Sequence, residues 1–477
     1  MPTPDAPPAP SPRFDLLRIP WIGRALRWRW SRLVLQGLFL IVAALVLYDG
    51  LTGPQLAPAN SATVLVWVHY RGFVALALLL AGNLFCAACP FALPRTLARR
   101  FGRPGRRFPR HLRNKWVSLA GLFLIFWLYE WLDLWASPML TAWLVAAYFA
   151  GSFLLEAIFS ESPFCKYVCP LGAFNFNYAT ASPLIIAARD PNVCHDCRGK
   201  ECLRGSHAVS GCGTELFVPQ IRSNMDCVLC LDCSRACPYD NVALVARRPL
   251  AELTAGNWPQ RWDRAFLVVG LTFFALSNAF GMVPPIRAVQ AWLQDHFGLN
   301  SDGVRLLVLF AVGDVALPAL TLLGAAWASR RLTPRAARPS MKSLASRYVP
   351  AFVPAGFGLW LAHYGFHVAV GGLTIVPVLQ AFLLDHGLAW LGASPDWSLG
   401  ALLPLEWIFR LQVAAVLGGF FVGLAVLARS ALRTGLPPAQ ALRQLLPWAL
   451  ALTLVTIAAL SIFNLPMDMR GTVRGSG

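Results

Sequence analysis

The chain has 477 residues, of which 57% are hydrophobic and only 13% are charged. Soluble proteins carry roughly a quarter charged residues, so this composition excludes an ordinary soluble domain, a disordered chain and a small secreted disulfide scaffold. The net charge is +18, and there are 12 cysteines. A charge of that size indicates nucleic acid as the partner of a soluble protein, but cytoplasmic loops rich in arginine in a membrane protein.

Apolar stretches long enough to cross about 30 Å of hydrocarbon recur along the chain. They predict an α-helical integral membrane protein with about nine transmembrane helices. One more apolar stretch, 374–395, is interrupted by Asp385 and His386, so we interpret it as an interfacial or re-entrant helix. The predicted spans are 33–49, 64–85, 116–136, 142–160, 264–284, 303–327, 349–370, 404–428 and 447–463.

The connections between these spans differ in charge. Arginine is concentrated before the first span and after the second and sixth spans, whereas 50–63, 137–141 and 371–403 contain neither Lys nor Arg. Because basic loops stay in the cytoplasm, this asymmetry predicts a cytoplasmic N-terminus. The arginines alternate with spans instead of forming one patch, so we expect no nucleic-acid partner.

The clearest motif is Cys227-x2-Cys230-x2-Cys233-x3-Cys237-Pro238. In two-cluster ferredoxins, the first three cysteines of such a run bind one [4Fe-4S] cluster and the fourth binds the other. A looser set lies upstream, and its alternative interpretations are a zinc site or a lost cluster. The crossover pairing predicts one cluster on Cys194, Cys197, Cys202 and Cys237, and a second on Cys227, Cys230, Cys233 and Cys212.

The remaining four cysteines form two pairs, Cys86-x2-Cys89-Pro90 and Cys165-x3-Cys169-Pro170. Each pair follows a predicted hairpin of two spans, so both pairs reach the cytoplasmic boundary of the membrane. Three interpretations stay open: a third [4Fe-4S] cluster, a reversible dithiol relay, or packed thiols.

The order of these motifs resembles a known family. Two hairpins that end in a Cys pair and proline, the run from Cys165 to Ala173 (CKYVCPLGA) and the two-cluster module are similar to the NosR/NapH/MauN-type membrane-bound 4Fe-4S polyferredoxins. The resemblance covers about residues 33–285. It implies electron transfer at the bacterial inner membrane, between quinone/quinol or a cytoplasmic donor and an extracytoplasmic redox protein or cytochrome. Related proteins also serve in metal-centre assembly, including copper handling.

Polar residues inside a membrane are functional candidates. His363 and His367 lie one helical turn apart on the seventh span, and His69 lies at a similar depth on the second. Such histidines suit haem b, a quinone or copper, and the alternative is polar contact between helices. Asp314 is a candidate proton relay, and Glu130 is a second intramembrane acid.

The sequence thus predicts a membrane-bound iron–sulfur electron-transfer protein, a component of an oxidoreductase system such as a quinol dehydrogenase. The alternative is an electron-donating assembly or metal-reducing factor for a respiratory enzyme, and a transporter is less favoured. The predicted division is a cytoplasmic basic and Pro-rich tail (1–32), two Cys-ended hairpins (33–170), a cytoplasmic two-cluster ferredoxin-type α+β module (171–262), C-terminal spans (263–463) and an extracytoplasmic tail (464–477).

Overall fold

The computed structural model describes residues 14–94, 98, 106–159, 162–207, 209–248, 250–256, 258–335 and 338–468. The Pro-rich start and the last residues of the predicted extracytoplasmic tail, 469–477, lie outside these ranges. Within them the chain is mostly helical.

Seven helices of the described residues are long and apolar enough to cross a membrane. In hydrocarbon a continuous helix satisfies every backbone hydrogen bond internally, which is why long apolar runs adopt it. The helix Trp116–Trp131 is shorter, and Met341–Gly371 is bent by 53° against Ile375–Asp385. The structure therefore supports a multi-pass helical membrane protein with a broken helix near 374, and the count of nine spans stays a prediction.

The elements are numbered here in chain order. The helices are α1 Pro20–Arg27, α2 Ser31–Thr52, α3 Ser61–Ala81, α4 Leu84–Ala87, α5 Trp116–Trp131, α6 Pro138–Ile158, α7 Pro170–Ala179, α8 Pro191–Asp196, α9 Glu201–Arg204, α10 Asp232–Ala236, α11 Trp262–Phe280, α12 Pro285–Phe297, α13 Asp302–Leu332, α14 Met341–Gly371, α15 Ile375–Asp385, α16 Leu405–Leu432 and α17 Pro438–Phe463. The strands are β1 Leu184–Ala188 and β2 Val242–Ala246.

Eight of the cysteines lie between the two strands in the chain. They pair antiparallel, from Leu184 opposite Ala246 to Ala188 opposite Val242. The short helices α8, α9 and α10 lie between them in the chain, and the side chains of this unit form a core of their own. The segment is thus a small α+β unit, here called the cysteine unit, and its identity as a ferredoxin-type module stays a prediction.

The described part of the N-terminal segment, from residue 14 onwards, packs against this unit. Asp15 forms an isolated bridge with Val245, and its carboxylate accepts a hydrogen bond from the backbone N–H of Leu244 at 3.2 Å. Leu17 is fully buried in the core of the cysteine unit. The described part of the segment predicted as a tail therefore extends the unit beside β2.

The largest core lies among the C-terminal helices. Trp360 of α14 is fully buried and donates its indole N–H to the carbonyl of Leu271 in α11, at 2.9 Å. Helices α14 and α16 approach closely at Gly358, where a Cβ atom would lie 2.4 Å from the carbonyl oxygen of Ala415. Small residues at such crossings let membrane helices pack backbone to backbone.

Candidate functional site

The Cys227 run is held in an unusual backbone conformation. Asp226, Leu229 and Leu231 have φ angles of 70°, 49° and 60°. Residues other than glycine rarely adopt this left-handed region, and it persists only where the surroundings impose it. It turns the backbone N–H of Leu229 towards the sulfur of Cys227. The loop is thus wound so that its amide groups face its thiols.

Cys194 and Cys237 both accept hydrogen bonds from Asn241. The Asn241 backbone N–H donates to the Cys237 sulfur at 3.4 Å, and its side-chain amide donates to the Cys194 sulfur at 3.2 Å. Cys202 lies close enough to interact electrostatically with Cys194, Cys197 and Cys237. These are the four cysteines that the crossover pairing assigns to one cluster.

The second predicted set gathers around Cys233. This thiol interacts electrostatically with Cys230, Cys227 and Cys212, and also with Cys202 of the other set. The Cys212 sulfur accepts a hydrogen bond from the backbone N–H of Leu216 at 3.3 Å. The two sets are therefore neighbours.

The two hairpin-end pairs also come together. Cys165 interacts electrostatically with Cys169, Cys89 and Cys86, as the internal repeat predicts. Cys165 lies in a π-helical turn, Phe164–Val168, and Cys169 caps the N-terminus of α7.

Backbone and amide donors face these thiols as well. The backbone N–H of Gly172 donates to the Cys169 sulfur at 3.2 Å, and the Asn175 amide donates to the Cys86 sulfur at 3.1 Å. Asn83 then ties this hairpin end to the cysteine unit, because its amide donates to the Cys227 carbonyl at 2.9 Å.

Burial changes the acid–base chemistry of these thiols. It raises the pKa of Cys86 and Cys230 to about 11, and that of Cys169 and Cys227 to about 12. Thiol–disulfide exchange needs an accessible thiolate, which is favoured by a lowered pKa. The raised pKa therefore disfavours exchange at Cys86 and Cys169, and a metal would have to displace their protons.

Two cations connect the membrane helices with the thiols. Arg32, at the start of α2, forms an ion pair with Asp232. It also interacts electrostatically with Cys230 and Cys165. Cys230 belongs to the second predicted set, here called the middle set, and Cys165 to the four hairpin-end thiols, here called the hairpin set. Lys115, at the start of α5, forms a buried ion pair of 2.6 Å with Asp226. Burial acts to raise the pKa of Asp226, but Lys115 and Arg264 together outweigh it and lower that pKa below its usual value.

None of the twelve cysteines forms a disulfide. Among the described residues, no three or more His, Cys, Asp or Glu side chains already stand at the spacing of a bound metal ion. The chemistry of the three sets nevertheless fits [4Fe-4S] clusters, because each set has four thiols and N–H donors directed at sulfur.

The three candidate histidines lie on two helices, His69 on α3 and His363 and His367 on α14. Both ring nitrogens of His69 lie against backbone carbonyls, Nδ1 at 3.0 Å from Val64 and Nε2 at 2.9 Å from Gly372. His363 and His367 are buried on α14, with ring centroids 5.1 Å apart and nearly perpendicular. A metal or haem on His69 would have to displace one of these contacts.

The two candidate acids lie in different surroundings. Asp314 is fully buried in a π-helical segment of α13, Ala311–Ala316, close to Ser277, and it borders a cavity of about 660 Å³. Glu130 lies against Gly281, where a Cβ atom would stand 2.8 Å from its carboxylate. Among the described residues, neither Asp314 nor Glu130 shows a contact with a cysteine.

Arg71 is a buried cation that the sequence analysis overlooks. Its guanidinium lies 4.5 Å from the ring centres of Trp67 and Tyr129 and 5.3 Å from that of Tyr364. The signal was available in the sequence, since an arginine in the middle of an apolar span is costly and marks function.

No protein-family model, curated protein or solved structure matches this chain.

Proposed function

We propose that this chain is a membrane-bound iron–sulfur electron-transfer protein that links quinone/quinol or a cytoplasmic donor to an extracytoplasmic redox partner. The observation that carries the proposal is that all twelve cysteines lack disulfides and that Cys165, Cys202 and Cys233 each lie close enough to at least three other thiols to interact with them electrostatically. Bound [4Fe-4S] clusters would supply a one-electron carrier at each set. The resemblance to the polyferredoxin family supports the same interpretation, with the bacterial inner membrane as its location and a cytoplasmic N-terminus and cysteine unit.

The residues around the thiols are suited to holding negative charge. Ligand thiolates are anionic, and N–H groups directed at sulfur stabilise that charge. Asn241, Gly172 and Asn175 supply such donors. Arg32 adds a full positive charge between the middle set and the hairpin set.

The neighbour relations define an order. The middle set has neighbours on both sides, because Cys233 adjoins Cys202 and Arg32 adjoins both Cys230 and Cys165. Electrons would pass between the cysteine unit and the membrane boundary through this middle set. The raised pKa of Cys86 and Cys169 disfavours the thiolate that a dithiol relay would use.

The test is the iron content of anaerobically purified protein, combined with EPR of the reduced state. Cys230→Ser should remove about four irons and one EPR signal, because it deletes a ligand of the middle set. Ser234→Ala, a change at a buried neighbour in the same loop, should keep both. Equal iron in the two variants would contradict the proposal.

A further inference from the structure

A cavity of about 140 Å³ lies between the two hairpins and α14. Its wall contains Phe91, two residues after Cys89, and Pro170 and Leu171, which directly follow Cys169. The cavity is therefore within a few residues of both hairpin-end pairs.

Two tyrosines strengthen this connection. Tyr70 and Tyr148 line the cavity, and both lie close enough to Cys89 and Cys169 to interact with them electrostatically. A molecule in the cavity would be separated from the hairpin-end thiols by little more than these side chains.

Arg71 supplies a strong hydrogen-bond donor in this apolar space. The side chain is 93% buried, since 7% of its surface is exposed, and it lines the cavity. Its guanidinium donates a hydrogen bond of 3.4 Å to the Tyr129 hydroxyl. No carboxylate of the described residues lies within ion-pair distance of the guanidinium. A guanidinium carries five N–H groups, so most of its donor capacity is available to a ligand.

These features define the chemistry of the ligand. The aromatic walls of Trp67, Tyr129 and Phe126 favour a flat ring, and a 150 Å³ apolar cavity is known to accept one benzene ring. A hydrophilic anion would lose its hydration there, and an acyl chain would leave Arg71 without an acceptor. A lipid-soluble ring that carries carbonyl oxygens meets both requirements.

We infer that this cavity is the binding site for a quinone ring, with Arg71 donating a hydrogen bond to one of its carbonyl oxygens. The choice of a redox-active ring rests on the proposed function, whereas the presence of the cavity and of Arg71 does not. This site lies on the hairpin side of the bundle, whereas the sequence offered His69, His363 and His367 as candidates for a quinone site.

The experiment uses the purified full chain, a photoreactive azidoquinone with a short side chain, and mass spectrometry of the labelled peptides. Label should fall on peptides containing Trp67 to Val74 or Tyr129, and excess short-chain ubiquinone should compete it away. Arg71→Gln should weaken binding roughly ten- to a hundredfold, the loss expected for one hydrogen bond from a charged donor.

A second variant keeps the test decisive where Arg71→Gln fails to fold. Leu144→Phe on α6 fills the cavity and should abolish labelling, whereas Leu140→Phe, one turn earlier on the same helix and outside the cavity, should keep it. Labelling that is unchanged in Leu144→Phe, or that falls on no peptide from the two hairpins, would overturn the inference.

The iron content of the same samples separates the two proposals. Full iron without specific labelling would contradict only the quinone site. Labelling of the peptide with Arg71 that ubiquinone competes away, in protein with little iron, would contradict only the iron–sulfur function.

Discussion

The positive charges beside the thiols influence the reduction potential of the centre proposed on each set of cysteines. Arg32 interacts electrostatically with thiols of two sets, through Cys230 and Cys165. A nearby cation stabilises the reduced, more negative state of a redox centre. Lys115 is a second cation near the hairpin set. Its attraction acts to lower the pKa of Cys169, against the dominant effect of burial.

We therefore expect Arg32→Gln to lower the reduction potentials of the centres on the middle and hairpin sets. The shift should be on the order of tens of millivolts for one unit charge at an effective dielectric of about 20. Arg32→Lys keeps the charge and should restore most of the potential. An EPR-monitored redox titration measures these values.

The centre on Cys194, Cys197, Cys202 and Cys237 serves as the internal control, since none of its thiols is among the main electrostatic neighbours of Arg32. Equal shifts at all three centres, or none at any, would contradict this role of Arg32.

At the scale of elements, the hairpins deliver their cysteines to one place because each ends in a turn built around its pair. The first ends at α4, and the second at the π-helical turn before α7. Spacing and prolines in the sequence predicted that the pairs share a boundary. The contact of Asp15 and Leu17 with β2 was not predictable in the same way, because it joins residues more than 200 positions apart and no local pattern encodes it.

The double variant Cys86→Ser/Cys169→Ser tests whether the hairpin pairs bind a cluster. It should lose about four irons and leave the signals of the two centres in the cysteine unit. Ser118→Ala, a buried change on α5 that removes no thiol, should have full iron. Unchanged iron in the double variant would exclude the third cluster and leave the dithiol relay or packed thiols.

At the scale of the whole molecule, the apolar runs and basic loops predicted a multi-pass helical protein, and its helices have the required length and composition. The breaks were harder to predict, because π-helical segments at Val64–Tyr70 and Ala311–Ala316 leave the hydrophobic pattern of a span unchanged. The assignment of the twelve cysteines to three clusters stays a prediction, and it was possible because ligand spacing is local within each motif. The sequence marks Arg71 only as an arginine inside an apolar span, since its ring contacts come from three different helices that no local pattern brings together.

Orientation gives a separate prediction. Alkaline phosphatase, which is active only outside the cytoplasm, should be active when fused after Leu403 and inactive when fused after Arg335, because the loop before α14 is basic and the one before α16 has no Lys or Arg. Activity in the reverse pattern would place the cysteine unit outside the cytoplasm.

The most direct test of the central claim is an iron and acid-labile sulfide count on anaerobically purified full-length protein. The account predicts about twelve irons and about twelve sulfides per chain, four for each set of thiols. Fewer than about four irons per chain, in protein that is folded and still holds twelve free thiols, would contradict it.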